Sequence, residues 1–157
     1  MKYRKLGDSG IDVSEIAFGS WLTTSGGVEK DQAIACVHRA LDKGVTLIDT
    51  ANAYGRGIAE TVIGEALAGL PRDSYVLATK LYFPMSDTDR GLSRAQIHKQ
   101  IDASLARLKV DHVVGRRLHP LSVDKETVRM LDANERRQQR VGHGEFPRRY
   151  FVAEPYK

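Results

Sequence analysis

The sequence holds a single cysteine, Cys36, so no disulfide can form within the chain, and a reducing compartment, the cytoplasm, is the expectation. It has no run of 18 apolar residues, and its opening MKYRKLGDSG lacks an apolar signal core, so neither membrane spanning nor secretion is signalled. The first 115 residues are close to neutral, and the net +4 comes from the last 42, which hold Arg116, Arg117, Arg129, Arg136, Arg137, Arg140, Arg148 and Arg149. Those arginines lack interleaved aromatics, a zinc pattern or a clean amphipathic helix, so no nucleic-acid partner is expected.

What is present suits one globular domain: 157 residues, 41% hydrophobic and 28% charged. Short alternating segments flank Asp8-Ser9-Gly10, which is turn chemistry, and an apolar strand follows near Ile16 to Phe18. Ala33, Ile34, Val37, Ala40 and Leu41 then share a helical face that starts from Asp31 as cap and stops at Gly44. Val45 to Asp49 reads as a second strand, Ala59 to Leu67 as a second helix, and Tyr75 to Thr79 as a third strand. Ser93 and Gln96 form a capping box ahead of Ile97, Ile101, Leu105 and Leu108. Strands apolar on both faces that alternate with helices imply an α/β fold with a parallel sheet. Periodicity leaves an open sheet and a (β/α)₈ barrel equally available.

In either architecture ligands bind where the strands end. Gly19, Ser20 and Trp21 follow the first strand, Asp49 and Tyr54 the second, and Lys80 the third. Singly, Asp49 reads as a turn cap, Tyr54 as a loop aromatic and Lys80 as a solvated strand end. Together they supply complementary chemistry: an ammonium stabilises phenolate, and a carboxylate holds the ammonium in place. A phenol tuned in this way can protonate a carbonyl oxygen. No side chain delivers hydride, so a nicotinamide cofactor is required. GRGIAE begins like a dinucleotide fingerprint but has Glu60 at its third glycine and follows a loop, so it is set aside.

The segments KLGDSGIDVSEIAFGSW, GVTLIDTANAYGRGIAETVIGEAL, YVLATK and DRGLSRAQIHKQIDASLARLKVDHV resemble the aldo-keto reductase family, especially its bacterial branch similar to potassium-channel β subunits. The likeness runs from Met1 to about Val113. It implies a (β/α)₈ TIM barrel, NADPH as cofactor, a small carbonyl substrate, and Asp49, Tyr54 and Lys80 in catalytic positions with Tyr54 the acid. Trp21 and Ser20 fall where that branch meets cofactor or substrate, and with Asp49 they are the expected cofactor-binding residues.

Beyond Val113 the pattern departs from the family. The fourth strand should end in histidine or asparagine, and DHVVGRRLHPL offers His119 in that register. His119 is either the remaining catalytic position or a loop histidine; His98 and His112 read as structural or surface residues. Gly115, Arg116 and Arg117 suit a central strand poorly, so this strand is expected to be distorted, frayed or absent. ETVRMLD still resembles the family's next helix, whereas the rest keeps a faint trace of a strand. The expected division is therefore 1–113, the first three to four β/α units with an N-terminal hairpin, and 114–157, a basic, divergent continuation.

A whole barrel of this type takes roughly 250 residues, so the expectation is its first half. Open strand edges then invite pairing with a second copy or a complementing second half. Descent from the reductases is expected; activity of the chain alone is not. A cofactor-sensing binding module like the channel subunits, and an inactive remnant left by truncation, a changed reading frame or a gene-model error, are the alternatives. Trp21, Tyr54, Tyr82 and Phe83 offer an apolar wall for a carbonyl compound, although packing explains the last two as well.

Overall fold

The structure, a computed structural model, describes residues 1–6, 9–22, 27–115 and 150–152. β1 (Tyr3–Lys5) and β2 (Asp12–Ser14) form an antiparallel hairpin, with Tyr3 opposite Ser14 and Lys5 opposite Asp12. A second sheet holds β3 (Ala17–Gly19), β4 (Leu47–Asp49), β5 (Val76–Thr79), β6 (Val113–Gly115) and β7 (Tyr150–Val152) in that order. Every neighbouring pair in it is parallel. Parallel neighbours need a crossover, and helices α1 (Lys30–Asp42), α2 (Ile58–Ala66) and α3 (Arg94–Leu108) supply three of them.

The register separates the two faces of the sheet. Phe18 stands opposite Ile48 and Ile48 opposite Leu77, while Val114 stands opposite Ala78, which puts Val113 in the row of Leu77. Ile48, Leu77 and Val113 share one core with Val37 of α1, Ile63 and Ala66 of α2, and Ile101, Leu105 and Leu108 of α3. Full burial of such side chains contributes about 1.5–3 kcal/mol each. Side chains alternate along a strand, so the next row, Gly19, Asp49, Ala78 and Val114, turns away from the helices. This alternation aims the acid at the far face.

Several boundaries differ from the sequence reading, for local reasons. The α1 cap is Glu29, and its side chain makes no capping bond; Asp31 instead lies in the first turn, where a carboxylate meets the positive end of the helix dipole. Pairing of the second strand begins at Leu47 rather than Val45. The Val45 N–H is spent on the Ala40 carbonyl, and the Thr46 N–H goes to Ser14 Oγ at 2.9 Å. The capping box of α3 is half formed: Ser93 Oγ accepts the Gln96 N–H at 3.4 Å, but the Gln96 amide turns to the Thr88 carbonyl and Asp89 Oδ1.

The fourth strand of the barrel, expected to be distorted, frayed or absent, is present as β6 through Gly115, paired to Ala78 and Thr79. Val113 and Val114 are buried and hold it; Arg116 and Arg117 fall outside the described residues. Residues 150–152 add a fifth parallel strand beside it. Among the described residues no helix is long and apolar enough to cross a membrane.

Candidate active site

Asp49 closes β4 on the face turned from the helices. Lys80 follows β5 directly and lies two residues beyond Ala78, the partner of Asp49 across the sheet, so the period of two returns it to the same face. Lys80 Nζ donates to Asp49 Oδ1 and Oδ2, each at 2.8 Å, and to the Thr50 carbonyl at 2.8 Å. Its three protons thus have three acceptors. The side chains are 22% and 30% exposed, so the pair sits at the rim in partial contact with solvent.

Sheet hydrogen bonding continues past the strands: the Thr50 N–H reaches the Ala78 carbonyl at 2.9 Å and the Asn52 N–H reaches the Lys80 carbonyl at 3.2 Å. The chain then turns sharply. Tyr54 opens a 3₁₀ turn, Tyr54–Gly57, in which Gly55, Arg56 and Gly57 have φ of 57°, 50° and 95°. Two glycines make this left-handed passage cheap, and Arg56 bears the residual strain. The turn sets the Tyr54 ring with its centroid 5.1 Å from Lys80 Nζ. Trp21 stacks on the same ring at 5.9 Å with an interplanar angle of 15°.

Asp49, Tyr54, Lys80 and Trp21 therefore share one rim. Ser20 backs it from within: its N–H donates to the Asp49 carbonyl at 3.0 Å and its Oγ to Thr50 Oγ1 at 2.8 Å, and the residue is fully buried. His119 lies outside the described residues. His98 is exposed on α3, and His112 Nδ1 pairs with Asp111 Oδ1 at 2.6 Å. That hydrogen bond from His112 holds the Asp111 carboxyl below the usual carboxylate range. Tyr82 and Phe83 meet edge-on at 5.4 Å. Among the described residues no group of three His, Cys, Asp or Glu side chains could hold a metal ion.

Five polar residues behind the rim carry no functional role in the sequence. Asn52, almost fully buried, donates to Gln100 Oε1 at 3.0 Å. Glu60, fully buried, accepts from Thr79 Oγ1 at 2.6 Å and from Arg107 Nε at 2.7 Å. The sequence did carry a signal: Thr79 occupies the helix-facing parity of Leu77, and a hydroxyl there requires a partner. Glu60 entered the sequence reading only as a break in a glycine pattern.

Comparison with known proteins gives concordant findings. The sequence profile described as "Aldo/keto reductase family" matches residues 15–132. The aldo-keto reductase YhdN of Bacillus subtilis is 36% identical over 140 residues, covering 83% of this chain and 42% of that protein. Aldo-keto reductase AKR11C1 from Bacillus halodurans, in its holo form, superposes with a TM-score of 0.71 at 29% identity, over 98% of this chain and 50% of that one. An aldo-keto reductase from Klebsiella pneumoniae in complex with NADPH gives 0.65 at 30% identity, over 92% and 46%. This chain thus spans about half the length of these proteins. The match identifies its parallel sheet as part of a (β/α)₈ barrel rather than an open sheet.

Proposed function

This chain belongs to the aldo/keto reductase family, and on that footing we propose that it carries the proton-donating half of an NADPH-dependent reductase of aldehydes and ketones. Reduction of a carbonyl adds hydride at carbon and a proton at oxygen. The observation that supports the reading is the threefold-bonded ammonium of Lys80 standing 5.1 Å from the Tyr54 ring. Positive charge held there stabilises the negative charge that develops on the phenolic oxygen as Tyr54 gives up its proton. Asp49 keeps that ammonium oriented, and Ser20 with Thr50 keeps the backbone of Asp49 in place.

The rim fits the nicotinamide end of the cofactor: Trp21 is 65% exposed beside Tyr54 and offers a flat apolar face. Trp21 and Asp49 would border the ring, and Ser20 would act from behind. When bound, NADPH supplies the hydride. The chain's own residues hold the carbonyl oxygen near the Tyr54 hydroxyl and donate the proton. His119 is proposed to orient the substrate from the end of the fourth strand of the barrel. Placement in the branch similar to potassium-channel β subunits, the division at Val113 and a cytoplasmic location complete the proposal. Turnover is proposed for the chain together with a second copy or a complementing half, because the relatives are about twice as long.

Trp21 is the one tryptophan, which makes the test direct. Added NADPH should quench its fluorescence saturably, and aldehydes should drive loss of NADPH absorbance. Tyr54→Phe should keep the quenching and abolish turnover. Specific activity that rises with protein concentration marks assembly from two copies. Saturable quenching with no turnover of any carbonyl compound turns the reading to a cofactor-sensing module; no saturable change sinks both.

A further inference from the structure

Behind the rim, Glu60 is a buried carboxylate in the first turn of α2 with all its bonds directed at two other elements. Oε1 accepts from the Thr79 hydroxyl at 2.6 Å, and Oε2 accepts from Arg107 Nε at 2.7 Å, with Arg107 Nη2 in ion-pair contact at 2.7 Å. Thr79 is the residue before Lys80. Arg107, in the last turn of α3, also donates from Nη2 to Ser104 Oγ at 3.2 Å. Its stem lies across Gly57: a Cβ at Gly57 would stand 2.7 Å from Arg107 Cδ and 2.9 Å from its Nε. Gly57 ends the turn that Tyr54 begins.

One carboxylate therefore grips the strand that ends at Lys80 with one oxygen, and with the other the arginine lying on the Tyr54 turn. We propose that Glu60 is a positioning residue, which through Thr79 and Arg107 fixes the spacing between the Lys80 ammonium and the Tyr54 ring. The inference deepens the reductase reading and rests on it for its catalytic consequence. The physical basis is rigidity: a buried charge tolerates only the geometry that satisfies it. Proton transfer is sensitive to displacements of about 1 Å. The alternation of β5 makes the arrangement possible, since Thr79 must face the helices for Lys80 to face the rim.

Glu60→Gln, of the same shape without the charge, tests this. The primary readout is the near-ultraviolet circular dichroism of the stacked Trp21 and Tyr54 pair, defined as the signal that Trp21→Phe and Tyr54→Phe both remove. In folded Glu60→Gln most of that signal should be lost. With turnover, kcat should fall about tenfold while half-saturation of Trp21 quenching by NADPH stays within about twofold. A folded Glu60→Gln that keeps the wild-type pair signal and kcat overturns the proposal, even if its unfolding midpoint drops, since that is all a purely structural role predicts. If Glu60→Gln does not fold, Thr79→Val removes the strand-side bond alone and should lower the pair signal, with Thr79→Ser restoring it; an unchanged signal in Thr79→Val overturns the proposal. Absence of carbonyl reduction by the assembled chain, with a second copy or a complementing half, defeats the reductase reading, and the spectroscopic arm still decides the positioning role.

Discussion

Lys80 Nζ stands 2.8 Å from both carboxylate oxygens of Asp49, across the ends of two adjacent parallel strands. The pair is partly solvated, at 22% and 30% side-chain exposure, so after solvent screening it contributes about 1 kcal/mol or less to stability. Its worth lies in the chemistry. Lys80→Met should leave the urea midpoint nearly unchanged while lowering carbonyl reduction by about 10²-fold or more, measured as NADPH-linked turnover. A variant that unfolds in step with its loss of activity would contradict this division of roles.

The rim residues were legible in the sequence because strand ends are marked by the shift from apolar runs to polar groups, as Asp49 after Leu47-Ile48 and Lys80 after Val76-Leu77-Ala78 show. Alternation alone then puts both on one face. The second layer was not legible. Glu60 lies on a helix among Ala59, Val62 and Ile63, and its partners Thr79 and Arg107 are 19 and 47 residues away. Only the packing of α2 on β5 and its crossing of α3 bring them together. The presence of β6 was hidden for a related reason: Arg116 and Arg117 argue against a central strand, whereas pairing of Val114 and Gly115 to β5, across the sheet from distant sequence, forms one through Gly115.

That helix crossing is itself testable. A Cβ at Gly64 of α2 would stand 2.5 Å from the Arg107 carbonyl oxygen and 2.9 Å from Leu108 Cα. These are backbone atoms that no rotamer change can move aside. Gly64→Ala should therefore push α2 from α3 and cost about 1–3 kcal/mol, read as a lower urea midpoint. Because Arg107 would move with α3, the Trp21–Tyr54 signal should weaken in the same variant.

At the opposite end of the strands, Arg72 ties the starts of β5 and β6, with Nη1 donating to the Tyr75 carbonyl at 3.0 Å and Nη2 to the His112 carbonyl at 2.8 Å. Its guanidinium also lies 4.9 Å from the Tyr75 ring centroid. Burial lowers its pKa from the ordinary value, with Tyr75 and Asp111 opposing the shift, but an arginine stays charged at neutral pH. Arg72→Met leaves both carbonyls without their donor and should cost about 1–3 kcal/mol by urea unfolding. Arg72→Lys keeps the charge but not the two-pronged reach, so its midpoint should fall between the two.

Acid should loosen the approach to α3. Asp89 Oδ1 accepts from Lys99 Nζ at 2.6 Å and from Gln96 Nε2 at 3.3 Å, and these bonds, that from Lys99 foremost, hold its carboxyl below the usual range. A folded value below the unfolded one means the ionised carboxylate stabilises the fold above about pH 4, the ordinary aspartate value. That contribution fades as pH falls through the folded value. Asp89→Asn should accordingly lower the thermal midpoint at pH 7, and its curve should converge on the wild type as acid protonates Asp89. The wild type should retain some acid sensitivity in either case, because Asp111 is depressed too, through His112. Added salt should narrow the gap at pH 7, since Lys99 is 62% exposed and its attraction is screened. A gap between Asp89→Asn and wild type that widens on acidification would reverse the sign and exclude this carboxylate as the stabilising group.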